Sequence, residues 1–282
     1  MPESSSVTPS PSPSQAPAEA ASITAAFRAR AEEGRAALIP YICAGYPSRD
    51  ASLEMMHAAA EAGADILELG IPFSDPLADG PTIQKATFEA LEKGMSVRGA
   101  LEILQEFRRE RRTPVVLFTY LNPVLHFGLE SFVEAAREAG AEGILLTDLP
   151  AGADGALEEV VRAGGLDLIR LLAPTSSPAR IEAVSRGASG FLYYISRTGV
   201  TGARTEIRED LGHEVRSIRE RVDLPVAVGF GISSPEQAAL VAEVADGVVV
   251  GSALVEALGR GGVEAGKAFL ESLRRGMDAP RG

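Results

Sequence analysis

The sequence predicts an α/β chain in which eight strand–helix units close into one parallel barrel, and three observations predict it. Short apolar runs alternate with helical patterns along one continuous stretch. The runs are apolar on both faces, which suits parallel strands covered by helices. No G-x-G-x-x-G fingerprint follows the first run, where Gly45 stands in a Gly-Tyr-Pro turn instead; this disfavours the open doubly wound sheet. Eight units in succession are what a (β/α)8, or TIM-barrel, architecture requires.

The chain of 282 residues opens on a segment rich in Ser, Pro and Ala, residues 1–22, with no aliphatic cluster. Such a segment buries too little surface to offset its ordering entropy, so a disordered N-terminal tail is expected. It has neither the basic and apolar regions of a secretory signal nor the arginines of an organellar transit peptide. The barrel domain is expected over 23–278 and begins with an N-terminal helix. Strands are expected at 38–43, 66–71, 114–120, 143–148, 168–172, 191–195, 225–228 and 247–250. Helical patterns run over 51–62, 97–109, 129–139, 155–163, 178–186, 208–221 and 235–244. Ser96, Ser177-Pro178 and Ser234-Pro235 supply helix starts, because a serine caps the first free amides and proline fits the first turn. Gly63, Gly140 and Gly164 stand where helix C-terminal caps belong. Two βα connections look long, 73–94 after the second strand and 197–206 after the sixth. Barrel chemistry sits on the face that carries these loops, so both are candidate lids.

Composition narrows the function. Apolar residues make up 45% and charged residues 23% of the chain, an ordinary globular balance, and the net charge is −12. That charge repels nucleic acid and anionic membrane surfaces, so neither is an expected partner. It does not exclude a small phosphorylated substrate, because backbone N–H groups bind phosphate without side-chain charge. Cys43 is the one cysteine, so no intrachain disulfide forms, which fits a reducing, cytoplasmic setting. His57, His126 and His213 lie far apart without metal-ligand spacing, and no metal is expected. No apolar run approaches the roughly 18 residues of a membrane span.

The stretch 68–82, Glu-Leu-Gly-Ile-Pro-Phe-Ser-Asp-Pro-Leu-Ala-Asp-Gly-Pro-Thr, is the most informative. Glu68 interrupts an apolar strand. A carboxylate there faces a reaction site, where desolvation raises its pKa and suits general acid–base work, points between helices as a hydrogen-bonded structural residue, or is simply exposed. Asp79 precedes the Gly80-Pro81-Thr82 helix start. It is either a turn aspartate or a second carboxylate facing Glu68; Asp75 and Asp148 carry the same ambiguity. At the ends of the last two strands stand Gly229-Phe230-Gly231-Ile232-Ser233 and Gly251-Ser252-Ala253, the latter followed by a short helical pattern over 253–258. Glycine-bearing loops after strands 7 and 8, with a short extra helix, form the recurrent phosphate site of these barrels. Tyr193, with the hydroxyl-rich segment 196–202 behind it, reads as core aromatic or ligand contact followed by a lid.

On these segments the chain resembles the tryptophan synthase α family, over roughly residues 23–276. The resemblance implies a lyase that cleaves indole-3-glycerol phosphate by a retro-aldol reaction. It assigns Glu68 as the general acid–base and Asp79 as the carboxylate on the indole N–H. It places Tyr193 near the glutamate, Gly202, Phe230, Gly231, Gly251 and Ser252 at the phosphate, and Thr201 in the lid that steadies Asp79. Tyr41 and Tyr120 fall at active-site or indole-pocket positions. The resemblance implies no cofactor in this subunit and an αββα complex whose β subunit carries pyridoxal phosphate. Pro72, Asp75, Asn122 and Pro150 would lie toward that partner. Cys43 departs from the family, which commonly has threonine there, as does the Ser/Pro tail; neither touches the catalytic matches. A stand-alone lyase, a catalytically weak regulatory barrel and an isomerase of the same pathway share the scaffold. Retention of both Glu68 and Asp79 argues against the last two.

Overall fold

All seven residues of the first strand, Ala37–Cys43, are buried, as a strand covered on one side by helices and on the other by a barrel interior must be. In the computed structural model, which describes residues 22–196, 204–229 and 231–279 and only the backbone of 204–209, eight such strands form a closed parallel barrel in sequence order. They are β1 (Ala37–Cys43), β2 (Leu67–Gly70), β3 (Val115–Thr119), β4 (Gly143–Leu146), β5 (Asp167–Leu172), β6 (Leu192–Ile195), β7 (Val226–Gly229) and β8 (Gly247–Val250), with β8 closing on β1. Each overlaps its expected span, and the open sheet is excluded.

The helices are α1 (Ile23–Glu32), α2 (Arg49–Glu61), α3 (Pro81–Glu92), α4 (Val97–Arg108), α5 (Leu121–Phe127), α6 (Leu129–Ala139), α7 (Gly155–Ala163), α8 (Pro178–Arg186), α9 (Arg204–Arg219), α10 (Pro235–Ala242) and α11 (Ser252–Asp278). The serine starts hold: Ser96, Ser177 and Ser234 each accept the amide three residues on, a contact worth about 1 kcal/mol. Gly63 and Gly140 take the left-handed conformation, at φ 91° and 92°. Gly164 does not; it is still helical at φ −72°, and Gly165 makes the turn at φ 80°.

Three expectations need correction. The connection 73–94 is not a long loop, since α3 fills its second half. Helix α5, over which no helical pattern was expected, holds Pro123 in its first turn, where proline's missing N–H costs nothing. The last helical pattern extends far beyond residue 258, broken at Gly261 and Gly262, where the latter reaches φ 69°.

The barrel interior is closed at its N-terminal end. Ile23 and Phe27 of α1 pack into one buried cluster with Ile39, Ile66, Val116, Leu145, Ile169 and Phe191. The Phe27 and Phe191 rings lie 5.5 Å apart, an aromatic pair worth about 0.5–1.5 kcal/mol beyond its area. Phe118, Leu171 and Tyr193 rest on this plug. Any space inside the barrel therefore opens only toward the C-terminal ends of the strands.

Candidate active site

Side chains alternate along a strand, so the parity that sends Ile39 and Ile66 inward also sends Tyr41 and Glu68 inward. Tyr41 and Glu68 are register partners on β1 and β2. They line a cavity of about 470 Å³ above the plug, together with Phe118, Leu171, Tyr193 and Asp79. Of the readings of Glu68, the one between helices and the exposed one are thereby removed.

Glu68 is 1% exposed, and its Oε1 has no hydrogen-bond partner among the described residues. Loss of hydration with no compensating cation pushes its carboxyl up to about 8. Asp79 stands across the mouth on the β2–α3 connection. Burial raises it to about 6, opposed by a hydrogen bond from the Tyr120 hydroxyl. The same Tyr120 oxygen accepts the Ala78 N–H at 3.0 Å. Gln84 of α3 donates to the carbonyls of Asp79 (3.0 Å) and Pro76 (3.3 Å). Asp79 is thus held by a loop tied to both the barrel and the next helix. Burial lifts the hydroxyl pKa values of Tyr41 and Tyr193, and the Glu68 and Asp79 charges add to both. Cys43, buried behind Tyr41, is pushed up to about 12 by burial and is an unreactive thiol.

Two glycines shape the chamber. A methyl group at Gly70 would overlap the Tyr41 phenol, and one at Gly229 would overlap that of Tyr193. Opposite the carboxylates, Gly231, Gly251 and Ser252 line the cavity. Gly231 holds φ 74°, which an L side chain rarely adopts. The N-terminus of α11 begins at Ser252 with no side-chain cap, so its first amides are free to meet an anion.

The structure brings Glu68, Asp79, Tyr41, Tyr193, Gly231, Gly251 and Ser252 to one cavity and places Tyr120 against Asp79. Thr201, Gly202 and Phe230 lie outside the described residues, as do residues 197–203 of the 197–206 connection expected as a lid; its last three residues belong to α9. Pro72 and Asn122 are not in the cavity; they line a separate surface groove of about 620 Å³ with Phe73, Pro123 and Phe127, which no carboxylate enters. Asp75 and Pro150 are exposed and line neither the cavity nor the groove. Sequence reasoning missed Thr147, Leu171, Ile195 and Val249, which also line the cavity. No sequence signal marked them, because strands apolar on both faces hide which residues point inward.

The Tryptophan synthase alpha chain family matches residues 27–276. The chain belongs to that family. The tryptophan synthase alpha chain of Dechloromonas aromatica is 47% identical over 261 residues, spanning 91% of this chain and 97% of that one. Its counterpart in Geobacillus kaustophilus is 53% identical over 219 residues, 77% and 81% of the two chains. The solved tryptophan synthase subunit alpha of Legionella pneumophila superposes with a TM-score of 0.85 at 37% identity, covering 92% of this chain and 98% of that one. A chain of Mycobacterium tuberculosis tryptophan synthase gives 0.84 at 38%, covering 93% and 100%. This α chain is accordingly a lyase of tryptophan biosynthesis that cleaves indole-3-glycerol phosphate to indole and glyceraldehyde 3-phosphate. Among its described residues no helix is long and apolar enough to cross a membrane.

Proposed function

We propose that Glu68 is the general acid–base of this cleavage and Asp79 its electrostatic partner. The observation that carries the reading is the Glu68 carboxyl buried in the cavity, with no hydrogen bond to Oε1 among the described residues, where burial pushes its pKa up to about 8. Glu68 gives its proton to indole C3, making the ring an electron sink. The hydroxyl on the carbon attached to C3 then loses its proton to the Glu68 carboxylate. The C3–C1′ bond breaks, its electron pair returns to the ring, and the former hydroxyl becomes the aldehyde of glyceraldehyde 3-phosphate. Glu68 ends as it began, protonated. Asp79, ionised above about pH 6, accepts the indole N–H and stabilises the positive charge that develops there. Two carboxyls with separated pKa values are what one proton donor and one anion need.

Tyr41, Phe118, Leu171 and Tyr193 hold the indole, with Tyr120 steadying Asp79. The phosphate lies at Gly231, Gly251 and Ser252, with Gly202 and Phe230 beside it and Thr201 in the lid. The subunit works without a cofactor, in the cytoplasm. It docks a β subunit carrying pyridoxal phosphate, in an α2β2 tetramer, through Pro72, Asp75, Asn122 and Pro150, and passes indole to it. The exposed apolar surface at that end supports the docking face: Leu77 is 91% and Leu125 53% exposed. The test is release of indole from indole-3-glycerol phosphate by the purified chain, with and without a tryptophan synthase β chain. Acceleration by the β chain supports the full reading, an equal rate with and without it leaves a stand-alone lyase, and no release in either mixture overturns the residue roles.

A further inference from the structure

Outside the cavity, Arg170 and Glu158 form a buried ion pair, 3% and 8% exposed. Ile169 and Leu171 face the barrel interior, so Arg170 points outward from β5 toward Glu158 on α7. An ion pair this deep loses its hydration, and apolar residues of similar volume serve stability as well. Both partners also bind the backbone of one loop. Arg170 Nη1 donates to the Leu149 carbonyl at 2.9 Å, while Nη2 donates to Glu158 Oε1. The same Oε1 accepts the Gly152 N–H at 2.9 Å. Between the two tethered residues lie Ala151 and the exposed Pro150. A methyl at Gly187 would come within 3.0 Å of Glu158 Oε2, so the glycine leaves the room that the carboxylate occupies. One residue upstream, Asp148 Oδ1 accepts the N–H of Leu121 at 2.7 Å, at the start of α5 and next to Asn122.

We propose that Arg170 and Glu158 are positioning residues for partner docking: they clamp the β4–α7 loop on both sides of Pro150 and, through Asp148, set the start of α5. The wall on which the β chain seats is then formed before the partner arrives, which lowers the ordering cost of association. The proposal rests on the docking face named above.

The test measures, on the full chain, the Kd for a tryptophan synthase β chain by calorimetry, basal indole release without it, and Tm. Arg170→Met/Glu158→Leu keeps the volume and removes the clamp. It is expected to weaken β-chain binding about tenfold or more while basal kcat and KM stay within about twofold. Arg170→Glu/Glu158→Arg keeps an ion pair but aims a carboxylate at the Leu149 carbonyl and a cation at the Gly152 N–H; it is expected to weaken binding as well. Arg170→Lys, which retains the charge but offers a single donor nitrogen in place of the two that bind Leu149 and Glu158, is the mildest change to folding and is expected to fall between. Wild-type affinity in all three variants would overturn the clamp while leaving the docking face intact. A wild-type chain that binds no β chain would overturn the docking face itself, and the clamp with it.

Discussion

Tyr41 stands directly beside Glu68 across the β1–β2 register, and its phenol fills the space that a side chain at Gly70 would occupy. The Glu68 carboxyl is therefore walled by an aromatic ring whose position depends on Gly70, two residues after Glu68 on β2. Gly70→Ala is expected to push the ring into the cavity and lower kcat/KM by about 10–100-fold, since displacements near 1 Å at a reacting site carry losses of that order. Overpacking of this kind costs about 1–3 kcal/mol, so the chain should still fold. Unchanged kinetics in a folded Gly70→Ala chain would show that Tyr41 does not border the substrate.

The two carboxyls set a pH profile. Activity should rise as Asp79 ionises through about 6 and fall as Glu68 loses its proton through about 8. A bell-shaped kcat/KM with limbs near those values is expected. A profile flat from pH 5 to 9 would contradict both assignments.

Tyr120 ties Asp79 to the barrel. Its hydroxyl lowers the Asp79 pKa, so Tyr120→Phe should move the acidic limb upward from about 6. It also frees the Ala78 amide, and a fall in kcat of about threefold to tenfold is expected, on the scale of one hydrogen bond of about 1 kcal/mol. Measuring the acidic limb in both proteins decides it; a limb that stays in place separates Tyr120 from Asp79.

Much of this arrangement was legible in the sequence. All eight strands were found because their residues are apolar on both faces, and the capping serines marked helix starts. Helices α3 and α5 were missing from the expected helical patterns, although Gly80-Pro81-Thr82 marked where α3 starts; α5 has only seven residues, too few to show a helical period. The orientation of Glu68 was not legible. It depends on strand parity within a closed barrel, which is fixed only once Ile39, Ile66 and the α1 plug pack together. The Arg170–Glu158 clamp was equally hidden, since neither residue belongs to a motif.

Burial of Glu68 also has a stability signature. Its folded-state pKa of about 8 lies above the ordinary 4.5, so the folded chain keeps a proton that the unfolded chain releases. Stability is fully present below about 4.5 and is lost as pH rises through 8. Glu68→Gln removes the titration. Its Tm should match wild type near pH 4.5 and exceed it at pH 8.5 by several degrees, an effect on the order of a few kcal/mol. Thermal melts at the two pH values check this, and a difference independent of pH would argue that Glu68 is not buried as a neutral acid.

The most direct test of the central claim is single-turnover indole release from indole-3-glycerol phosphate by wild type and by Glu68→Gln, with substrate binding measured in parallel. The expected result is a loss of about 10²–10⁴-fold in the chemical rate with substrate affinity little changed, because glutamine fills the same volume but cannot donate and recover a proton. A Glu68→Gln chain that cleaves the substrate at close to the wild-type rate would contradict the assignment of Glu68 as the acid–base.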